Sequence, residues 1–228
     1  MVVPMEQFTR KGSLARLGGL LVAAAGGEAL LGDTPSGNAA IETGAVQCVL
    51  TPELTEGPYY IAGEKVRRDI REGHPGTPLT LRLTVLNAKT CAPIRGAAVD
   101  IWHADAAGNY SGFGAGASSR TFMRGIQKTD RHGLATFLTV YPGWYQGRAV
   151  HIHVKVHVGG SVVHTGQLFF PDAVTARAYK VTPYTSRPGP DMLNAQDSIF
   201  VNGGRRSMLA LKKTAAGYTG SIAMGVHK

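Results

Sequence analysis

The chain has 228 residues, a formal net charge of +9, 30 glycines and 12 prolines. This length suits one domain with a full core and is short for two. The lysines and arginines are dispersed, and no aromatic-rich basic stripe accompanies them, which argues against a nucleic-acid partner. The charge suits a soluble basic protein, and attraction for anionic small molecules is the alternative. Glycine-rich turns between short apolar segments, with no helical period beyond about three turns, predict an all-β fold. We expect a two-sheet β-sandwich with long active-site loops and at most short helices.

The N-terminal segment has the composition of an export signal. Arg10, Lys11 and Arg16 precede the apolar run LGGLLVAAAGG, which is shorter than the about 20 residues that a bilayer span needs. The stretch TRKGSLARLG resembles a twin-arginine signal, with Lys11 where the second arginine belongs. We expect residues 1–33 to direct export to the periplasm or the exterior, by a twin-arginine-like or general secretory route; a buried N-terminal helix is the alternative. Residues 34–46 are predicted to be a linker and 47–228 the folded domain, without stable membrane insertion.

Two cysteines, Cys48 and Cys91, follow the predicted signal. An even number of cysteines in an exported domain favours a disulfide between them. Such a bond would stabilise the fold by about 4 kcal/mol, because it restricts the unfolded chain. Two buried free thiols are the alternative.

Alternating apolar residues between turn motifs predict a series of short strands. In chain order the predicted strands are 79–87, 97–102, 120–127, 133–140, 149–158 and 161–170. They are followed by a short helix over 173–180, for which Asp172 is a candidate cap, and by a hairpin over 207–226.

The segment AVHIHVKVHV carries the first indication of a site. Valine and isoleucine take one face of this strand, and His151, His153, Lys155 and His157 take the other. The apolar face belongs to the core, so the histidine face points at solvent or into a polar cleft. Strand residues two apart lie roughly 6.6 Å from each other, and therefore His151 and His153 can converge on one metal ion. His157 lies too far along a straight strand and is predicted to be solvated.

Two histidines leave a metal site incomplete. No glutamate follows Glu72, and five of the later aspartates occur in turn motifs, where their side chains serve the backbone. These aspartates are Asp105, Asp130, Asp172, Asp191 and Asp197. The remaining unusual polar residues near the strand are tyrosines, namely Tyr110, Tyr141 and Tyr145.

Several ordered motifs resemble one family of enzymes. TPELTEGPYY, DIWHADAAGNYSGF, YPGWYQGRAVHIHV, GQLFFPD and PYTSRPGPDMLNAQDSIF follow one another between Gln47 and Phe200. In this order they resemble the intradiol ring-cleavage dioxygenases, the family of catechol 1,2-dioxygenase and protocatechuate 3,4-dioxygenase. The resemblance is greatest to short, secreted, single-domain members. The long N-terminal helical region that pairs subunits in catechol 1,2-dioxygenases has no counterpart in this pattern, so an oligomer would have to form without it.

The resemblance implies a non-haem Fe(III) cofactor bound by two tyrosinates and two histidines. Tyr110 closes the W-H-A-D-x-x-G-x-Y motif, Tyr145 closes P-G-x-Y, and His151 and His153 are the histidines of R-x-x-H-x-H. Ferric iron is a hard acid and phenolate is a hard oxygen donor, and a nearby cation lowers the pKa of tyrosine. Two phenolates also favour the ferric state, which distinguishes this site from Fe(II) sites that use two histidines and one carboxylate.

The resemblance also implies the reaction: O2 cleaves a catechol between its two hydroxyl-bearing carbons and gives a cis,cis-muconate. Tyr145 is implied to be the labile ligand, which leaves the metal and accepts a substrate proton. Arg148 is implied to stabilise negative charge that develops on the ring, and Gln167 to orient the region around the metal. The aromatic residues that we expect to face the substrate are Tyr59, Tyr60 and Trp144.

Each of these side chains alone also suits an ordinary turn, core or surface position, and only their joint occurrence indicates a site. Tyr141 is predicted to pack in the core and His103 to be a structural hydrogen-bonding residue. A non-catalytic transthyretin-like or adhesin-type β-sandwich binding module is the main alternative, because GAAVDIWHADAAGNYSG and TDRHGLATF suit its repeated hairpins. A cupin also uses H-x-H on a strand, but its motif needs a glutamate where this chain has His157.

Overall fold

The computed structural model describes residues 50–114 and 116–227. The predicted export signal, the predicted linker and Cys48 lie outside these ranges, so export and the pairing of Cys48 with Cys91 stay predictions. Across the described residues, no helix combines the length and apolar character that crossing a bilayer demands.

Short strands provide most of the regular structure in the described residues. The strands are β1 (Pro78–Asn87), β2 (Ala98–Trp102), β3 (Arg124–Lys128), β4 (Leu134–Val140), β5 (His151–Val158), β6 (Ser161–Phe169), β7 (Ala210–Lys213) and β8 (Tyr218–Val226). The helices are α1 (Asp172–Ala178) and α2 (Ser198–Val201), with 3-10 turns at Tyr184–Ser186, Asn194–Gln196 and Gly204–Ser207.

The strands form two four-stranded sheets with the orders β4-β1-β8-β7 and β3-β2-β5-β6. β1 and β8 pair in parallel, and the other neighbouring strands pair antiparallel. The predicted two-sheet β-sandwich with short helices is therefore confirmed. The predicted C-terminal hairpin is also present, as β7 and β8.

The core lies between the two sheets and follows from the alternation of apolar residues. Leu79, Leu81 and Leu83 of β1 are at most 1% exposed, and Val154 and Val156 of β5 are fully buried. Because successive side chains of a strand point to opposite faces of the sheet, this packing sends the intervening histidines of β5 to the outer face of the second sheet.

That outer face is covered by the chain that precedes β1. His151 and His153, the two predicted ligands on this face, are buried. We call residues 54–60 the strap. The Leu54 backbone N–H donates to the Thr165 carbonyl at 3.0 Å, and Glu56 forms an ion pair with Lys155. As a result, the histidine face of β5 lies in a covered, polar space between the strap and the sheet. His157, at the far end of β5 beyond a register shift, is only partly buried.

Strand β3 is shorter than predicted. It begins at Arg124 rather than Arg120, because Met123 has a φ of 56°, a left-handed conformation that a strand cannot contain. The longer loop between β2 and β3 that results carries Tyr110.

The predicted cap of the first helix is wrong. Pro171 occupies the N-cap of α1 and no side chain caps it; the carboxylate of Asp172 instead accepts a hydrogen bond from the Asn194 backbone at 3.2 Å. Asp197, which was expected to serve a turn, caps α2 by accepting hydrogen bonds from the backbone N–H groups of Ile199 and Phe200.

Candidate metal centre

Strand β5 places two imidazoles side by side. His151 and His153 are 3% and 0% exposed, and their Nε2 atoms are 3.0 Å apart. Nδ1 of His151 lies 2.6 Å from the Ala149 carbonyl oxygen. Since a carbonyl can only accept, Nδ1 carries the proton and the lone pair of Nε2 faces the neighbouring imidazole.

Two loops bring a phenol each to this pair. Tyr145, between β4 and β5, has its hydroxyl 3.2 Å from Nε2 of His151. The ring of Tyr110, between β2 and β3, lies edge-on to the rings of Tyr145 and His153, with centroid distances of 5.5 and 6.2 Å. The side chains of the four predicted ligands therefore lie together in one space, as the sequence motifs led us to expect.

The loop that carries Tyr110 is shaped by one carboxylate. Oδ1 of Asp105 accepts hydrogen bonds from the backbone N–H groups of Ala107 and Asn109, each at 2.9 Å. Gly108 has a φ of 86°, which favours glycine. This tight turn ends the segment that follows β2. It directs Tyr110, the residue after the turn, toward the interior.

Burial sets the protonation of all four side chains in the metal-free protein. Desolvation, assisted by the cation of Arg148, lowers the pKa of His151 to about 3. Desolvation and the neighbouring His151 lower the pKa of His153 well below its ordinary value. Both imidazoles are thus neutral at pH 7 and present lone pairs to a cation.

The two phenols are shifted in the opposite sense. Desolvation, with the nearby Tyr145, raises the pKa of Tyr110 well above 10. Desolvation also raises the pKa of Tyr145, although Arg148 opposes this shift. The Tyr110 hydroxyl is buried and has no hydrogen-bond partner of good geometry among the described residues. An unsatisfied buried oxygen is costly, and a bound cation would supply its partner and favour the phenolate.

The donor set fits a hard, highly charged metal ion. Among the described residues, no group of three or more His, Cys, Asp or Glu side chains is arranged to bind a metal. The side chains that lie against the two imidazoles and carry a further oxygen donor are Tyr110 and Tyr145. Together the four side chains would offer two imidazole lone pairs and two phenol oxygens in a largely buried space.

Arg148 connects this centre to its surroundings. Its guanidinium donates to the Tyr145 hydroxyl at 3.3 Å, to Oε1 of Gln167 at 2.5 Å and to Oδ2 of Asp197 at 2.9 Å. Nε2 of Gln167 donates in turn to the Thr55 carbonyl of the strap at 2.9 Å. Arg148 thus contacts both the other predicted catalytic residue, Gln167, and the predicted labile ligand, Tyr145.

The three aromatic residues expected near the substrate occupy different surroundings. Tyr59 stacks on Tyr110 with a centroid distance of 4.2 Å and lies edge-on to Tyr145 at 6.0 Å, so it borders the centre. Tyr60 packs on the ring of Trp102, and its own ring lies 3.7 Å from Nζ of Lys155. It therefore lies over the same outer face of the sheet, against Trp102 and Lys155.

Trp144 packs against the main core. The guanidinium of Arg187 covers its ring at 4.2 Å, and the close approach of Gly189 confines its edge. Substrate contact by Trp144 and by Tyr60 stays a prediction.

The residues predicted to be structural have structural contacts. The His103 ring nitrogens lie 2.8 Å from the Ala104 carbonyl and 2.7 Å from the Thr139 hydroxyl. Tyr141 is fully buried in the main core, and its hydroxyl lies 2.8 Å from that of Thr175.

Three residues that support the centre were not identified from the sequence. They are Asp197, which holds Arg148, Trp102, whose ring is stacked on that of His153, and Arg124, which holds the loop after Tyr110. Trp102 stands in the W-H-A-D motif that carried the family resemblance, which was the available signal. Asp197 and Arg124 had no such signal, because their partners are distant in the chain.

Comparisons with known proteins agree with this geometry. A family model described as Dioxygenase matches residues 55–177. The solved structure of an intradiol ring-cleavage dioxygenase from Tetranychus urticae is 34% identical, and the match covers 79% of this chain and 95% of that chain with a TM-score of 0.75. The dioxygenase domain of a dioxygenase and carbohydrate-binding protein fusion from Streptomyces sp. SirexAA-E is 30% identical, with coverages of 78% and 98% and a TM-score of 0.61.

Among curated proteins, catechol 1,2-dioxygenase 1 of Acinetobacter lwoffii is 38% identical over 101 residues, which is 42% of this chain and 32% of that protein. The aligned part thus spans about a third of the length of this curated relative. The residues matched by the family model include Tyr110, Tyr145, His151 and His153, and the structural match to the Tetranychus urticae protein covers 79% of this chain. The chain belongs to the intradiol ring-cleavage dioxygenase family.

Proposed function

We propose that the protein is an Fe(III)-dependent dioxygenase that cleaves a catechol-type diol between its hydroxyl-bearing carbons and yields a cis,cis-muconate-type dicarboxylate. The observation that carries this proposal is the meeting of two phenols and two neutral imidazoles in one covered space. Membership of the family supports the reaction class. It also argues against the two alternatives, the non-catalytic sandwich module and the cupin.

Tyr110, Tyr145, His151 and His153 would hold the ferric ion. When bound, the ion would supply Lewis-acid chemistry that makes the ring of a catechol reactive toward O2, and it would act as a template for the reactants. The high pKa values of the two phenols in the metal-free protein mean that binding must release their protons. Metal uptake is therefore expected to release protons and to be favoured by rising pH.

Tyr145 is suited to accept a substrate proton. Its hydroxyl is at the edge of the ligand set, and it accepts a hydrogen bond from Arg148 at 3.3 Å. The guanidinium of Arg148 stabilises the phenolate of Tyr145 until this oxygen accepts a proton. Since burial otherwise raises the pKa of Tyr145, the phenolate is a strong base for a catechol hydroxyl once it is not bound to the metal.

Arg148 would stabilise anionic character on the substrate. A guanidinium that is already oriented by other groups needs no reorganisation when charge develops, and this makes its contribution larger. Asp197 and Gln167 provide that orientation here. Gln167 uses its amide oxygen for Arg148 and its amide N–H for Thr55, so its role includes holding the arginine and the strap.

The space above the ligands is bordered by Tyr59, whose ring stacks on Tyr110. A flat aromatic diol suits a site of this kind, because ring faces and edges pack with favourable geometry. We further propose that the enzyme acts outside the cytoplasm, on the basis of the signal-like segment at residues 1–33, and that its partners are a small catechol and O2 rather than nucleic acid.

Absorption spectroscopy of the purified chain tests the proposal. After reconstitution with Fe(III), a tyrosinate-to-iron charge-transfer band should colour the protein red to burgundy, and anaerobic catechol should shift the band. With O2, the ultraviolet absorbance of a muconate should appear. A protein that stays colourless after reconstitution, or that forms an extradiol semialdehyde, would contradict the proposal.

A further inference from the structure

One row of residues crosses all four strands of the second sheet beneath the centre. Arg124 of β3 pairs with Trp102 of β2, Trp102 pairs with His153 of β5, and His153 pairs with Gln167 of β6. Each of the four is at most 1% exposed. Two members of this row, His153 and Gln167, have roles in the proposed function. The other two also touch parts of the centre.

Trp102 holds the ring of His153. The two rings are stacked with nearly parallel planes, at an interplanar angle of 7° and a centroid distance of 4.9 Å. Nδ1 of His153 has no hydrogen-bond partner among the described residues, whereas Nδ1 of His151 is fixed by the Ala149 carbonyl. The orientation of one histidine is therefore set by a hydrogen bond and that of the other by stacking.

The indole N–H of Trp102 also lacks a hydrogen-bond partner among the described residues. The face of the ring is thus what Trp102 contributes at this position. Tyr60 packs on Trp102 with a centroid distance of 4.8 Å, and this contact limits the movement of the indole.

Arg124 holds the loop of Tyr110. Its guanidinium donates to the Ser111 carbonyl at 2.7 Å, to the Ser111 hydroxyl at 2.9 Å and to the Tyr59 carbonyl at 2.6 Å. Ser111 follows Tyr110 directly in the chain, and the ring of Tyr59 stacks on the ring of Tyr110. A buried guanidinium consequently clamps Tyr110 from its own loop and from the strap.

We propose that Trp102 and Arg124 are positioning residues of the metal centre, Trp102 for His153 and Arg124 for Tyr110. This inference rests on the proposed function. Groups that orient metal ligands from behind typically change metal affinity by about 10- to 100-fold when they are removed. Placing both on one row of a hydrogen-bonded sheet fixes their spacing to the ligand on that row.

Variants at Trp102 separate stacking from simple packing. Trp102→Phe keeps an aromatic face against His153, and Trp102→Leu removes it. Fe(III) affinity is measured on the full chain by competition with a chelator, followed through the charge-transfer band. We expect affinity within a few-fold of wild type for W102F and about 10- to 100-fold weaker for W102L. Phe137→Leu is the control that leaves affinity unchanged, because Phe137 is a fully buried aromatic residue of the main core on β4.

Arg124→Lys keeps a positive charge and loses the planar fork that reaches three acceptors. We expect a comparable loss of Fe(III) affinity and a displaced charge-transfer band, because Tyr110 is one of the two phenolate donors. Ser111→Ala removes only one acceptor of Arg124 and serves if R124K does not fold. It should displace the band in the same direction by a smaller amount.

Thermal unfolding of the metal-free variants provides the second readout. If wild type shows the band and W102L and R124K lose only thermal stability, with affinity and band unchanged, both residues support the fold alone and the proposal is overturned. If W102F binds Fe(III) as weakly as W102L does, the argument that Trp102 acts by stacking on His153 is overturned. If wild type itself shows no band, the proposed function has failed, and this inference fails with it.

Discussion

Asp197 holds Arg148 across 49 residues of sequence: its Oδ2 accepts hydrogen bonds from Nε of Arg148 and from the backbone N–H of Ala149, each at 2.9 Å. Its other oxygen caps α2, with the Ile199 N–H at 2.8 Å. One buried carboxylate thus fixes the end of a helix and the guanidinium beside Tyr145. This dual use makes it possible to separate a stability effect from a catalytic one.

Replacement of Asp197 by Asn should keep the helix cap and weaken the hold on Arg148, because Asn is as good an N-cap as Asp but carries no charge. We expect kcat to fall by about 10- to 100-fold, as for other outer groups of metal sites. Steady-state kinetics and thermal unfolding measure the two effects.

The control for this prediction is Asp191→Asn. Asp191 accepts a hydrogen bond from the Gly147 backbone at 3.2 Å and does not contact the guanidinium of Arg148. A D191N variant as impaired as D197N would show that general loosening of the loop, and not the ion pair, accounts for the loss.

Removal of either phenol oxygen should abolish part of the charge-transfer absorbance. Tyr110→Phe and Tyr145→Phe each leave a single tyrosinate, so we expect a weaker and displaced band and at least about a 100-fold loss of kcat, the scale of a lost general base or charge-stabilising group. Tyr141→Phe is the matched control, since Tyr141 is also a buried tyrosine but lies in the main core, where its hydroxyl is hydrogen-bonded to Thr175. It should lower stability and leave the spectrum intact; an unchanged spectrum in Y110F would exclude Tyr110 as a ligand.

Gly57 of the strap lies against His153. A Cβ at this position would come within 3.1 Å of Cε1 of His153, and the residue has a φ of +72°. Gly63 has a nearly equal φ of +78° with no atom within 4 Å of a Cβ. Gly57→Ala and Gly63→Ala should therefore share a backbone penalty of about 1 kcal/mol.

Only G57A should also displace His153. We expect its Fe(III) affinity to fall by about 10-fold or more, while that of G63A stays at the wild-type value. Calorimetric titration or chelator competition measures this difference. Equal affinities for the two variants would mean that the strap moves away from the histidine at no cost.

The buried carboxylate of Asp100 leads us to predict an unusual pH dependence of the stability of the fold. Its carboxylate is 1% exposed and has no hydrogen-bond partner of good geometry among the described residues. Desolvation first, and then the nearby Glu64, raises its pKa from 3.8 to about 7. The folded state therefore binds this proton more tightly than the unfolded chain does. The resulting stability is present in full below about pH 4 and is lost as the pH rises to about 7.

Asp100→Asn mimics the protonated carboxyl. We expect it to raise the free energy of unfolding at pH 8 by up to about 4 kcal/mol and to change it little at pH 4.5. Urea unfolding at the two pH values measures this. Asp130→Asn is the opposite control, because hydrogen bonds from the backbone of Leu134 and His132 lower the pKa of Asp130, so this variant should gain nothing at pH 8. A D100N gain that is the same at both pH values would contradict the ionisation argument.

The alternation of strand residues was enough to predict the core and the paired histidines. The period of two is a property of the extended backbone itself, so His151 and His153 had to share a face whose opposite side carries Val154 and Val156. The same local logic located the C-terminal hairpin. It failed where a local conformation contradicted the composition, as at Met123, whose positive φ shortens β3.

The motifs also identified Tyr110 and Tyr145 as candidate metal ligands, although composition alone could not distinguish these two tyrosines from Tyr141. Their meeting with the histidines depends on two loops that fold over the second sheet, and no periodic pattern encodes the path of a loop. The sequence could state which side chains belong together only because the motifs resembled those of a family.

What only the tertiary structure decided is how these ligands are held. The contacts of Asp197 with Arg148, of Trp102 with His153 and of Arg124 with Ser111 all depend on strand order, register and the position of the strap. The sequence by itself determined the histidine-bearing strand, the core face and the all-β class, because these follow from short-range periodicity. Partners joined across several strands or tens of residues follow from packing, because only the folded sheet brings them within hydrogen-bonding or stacking distance.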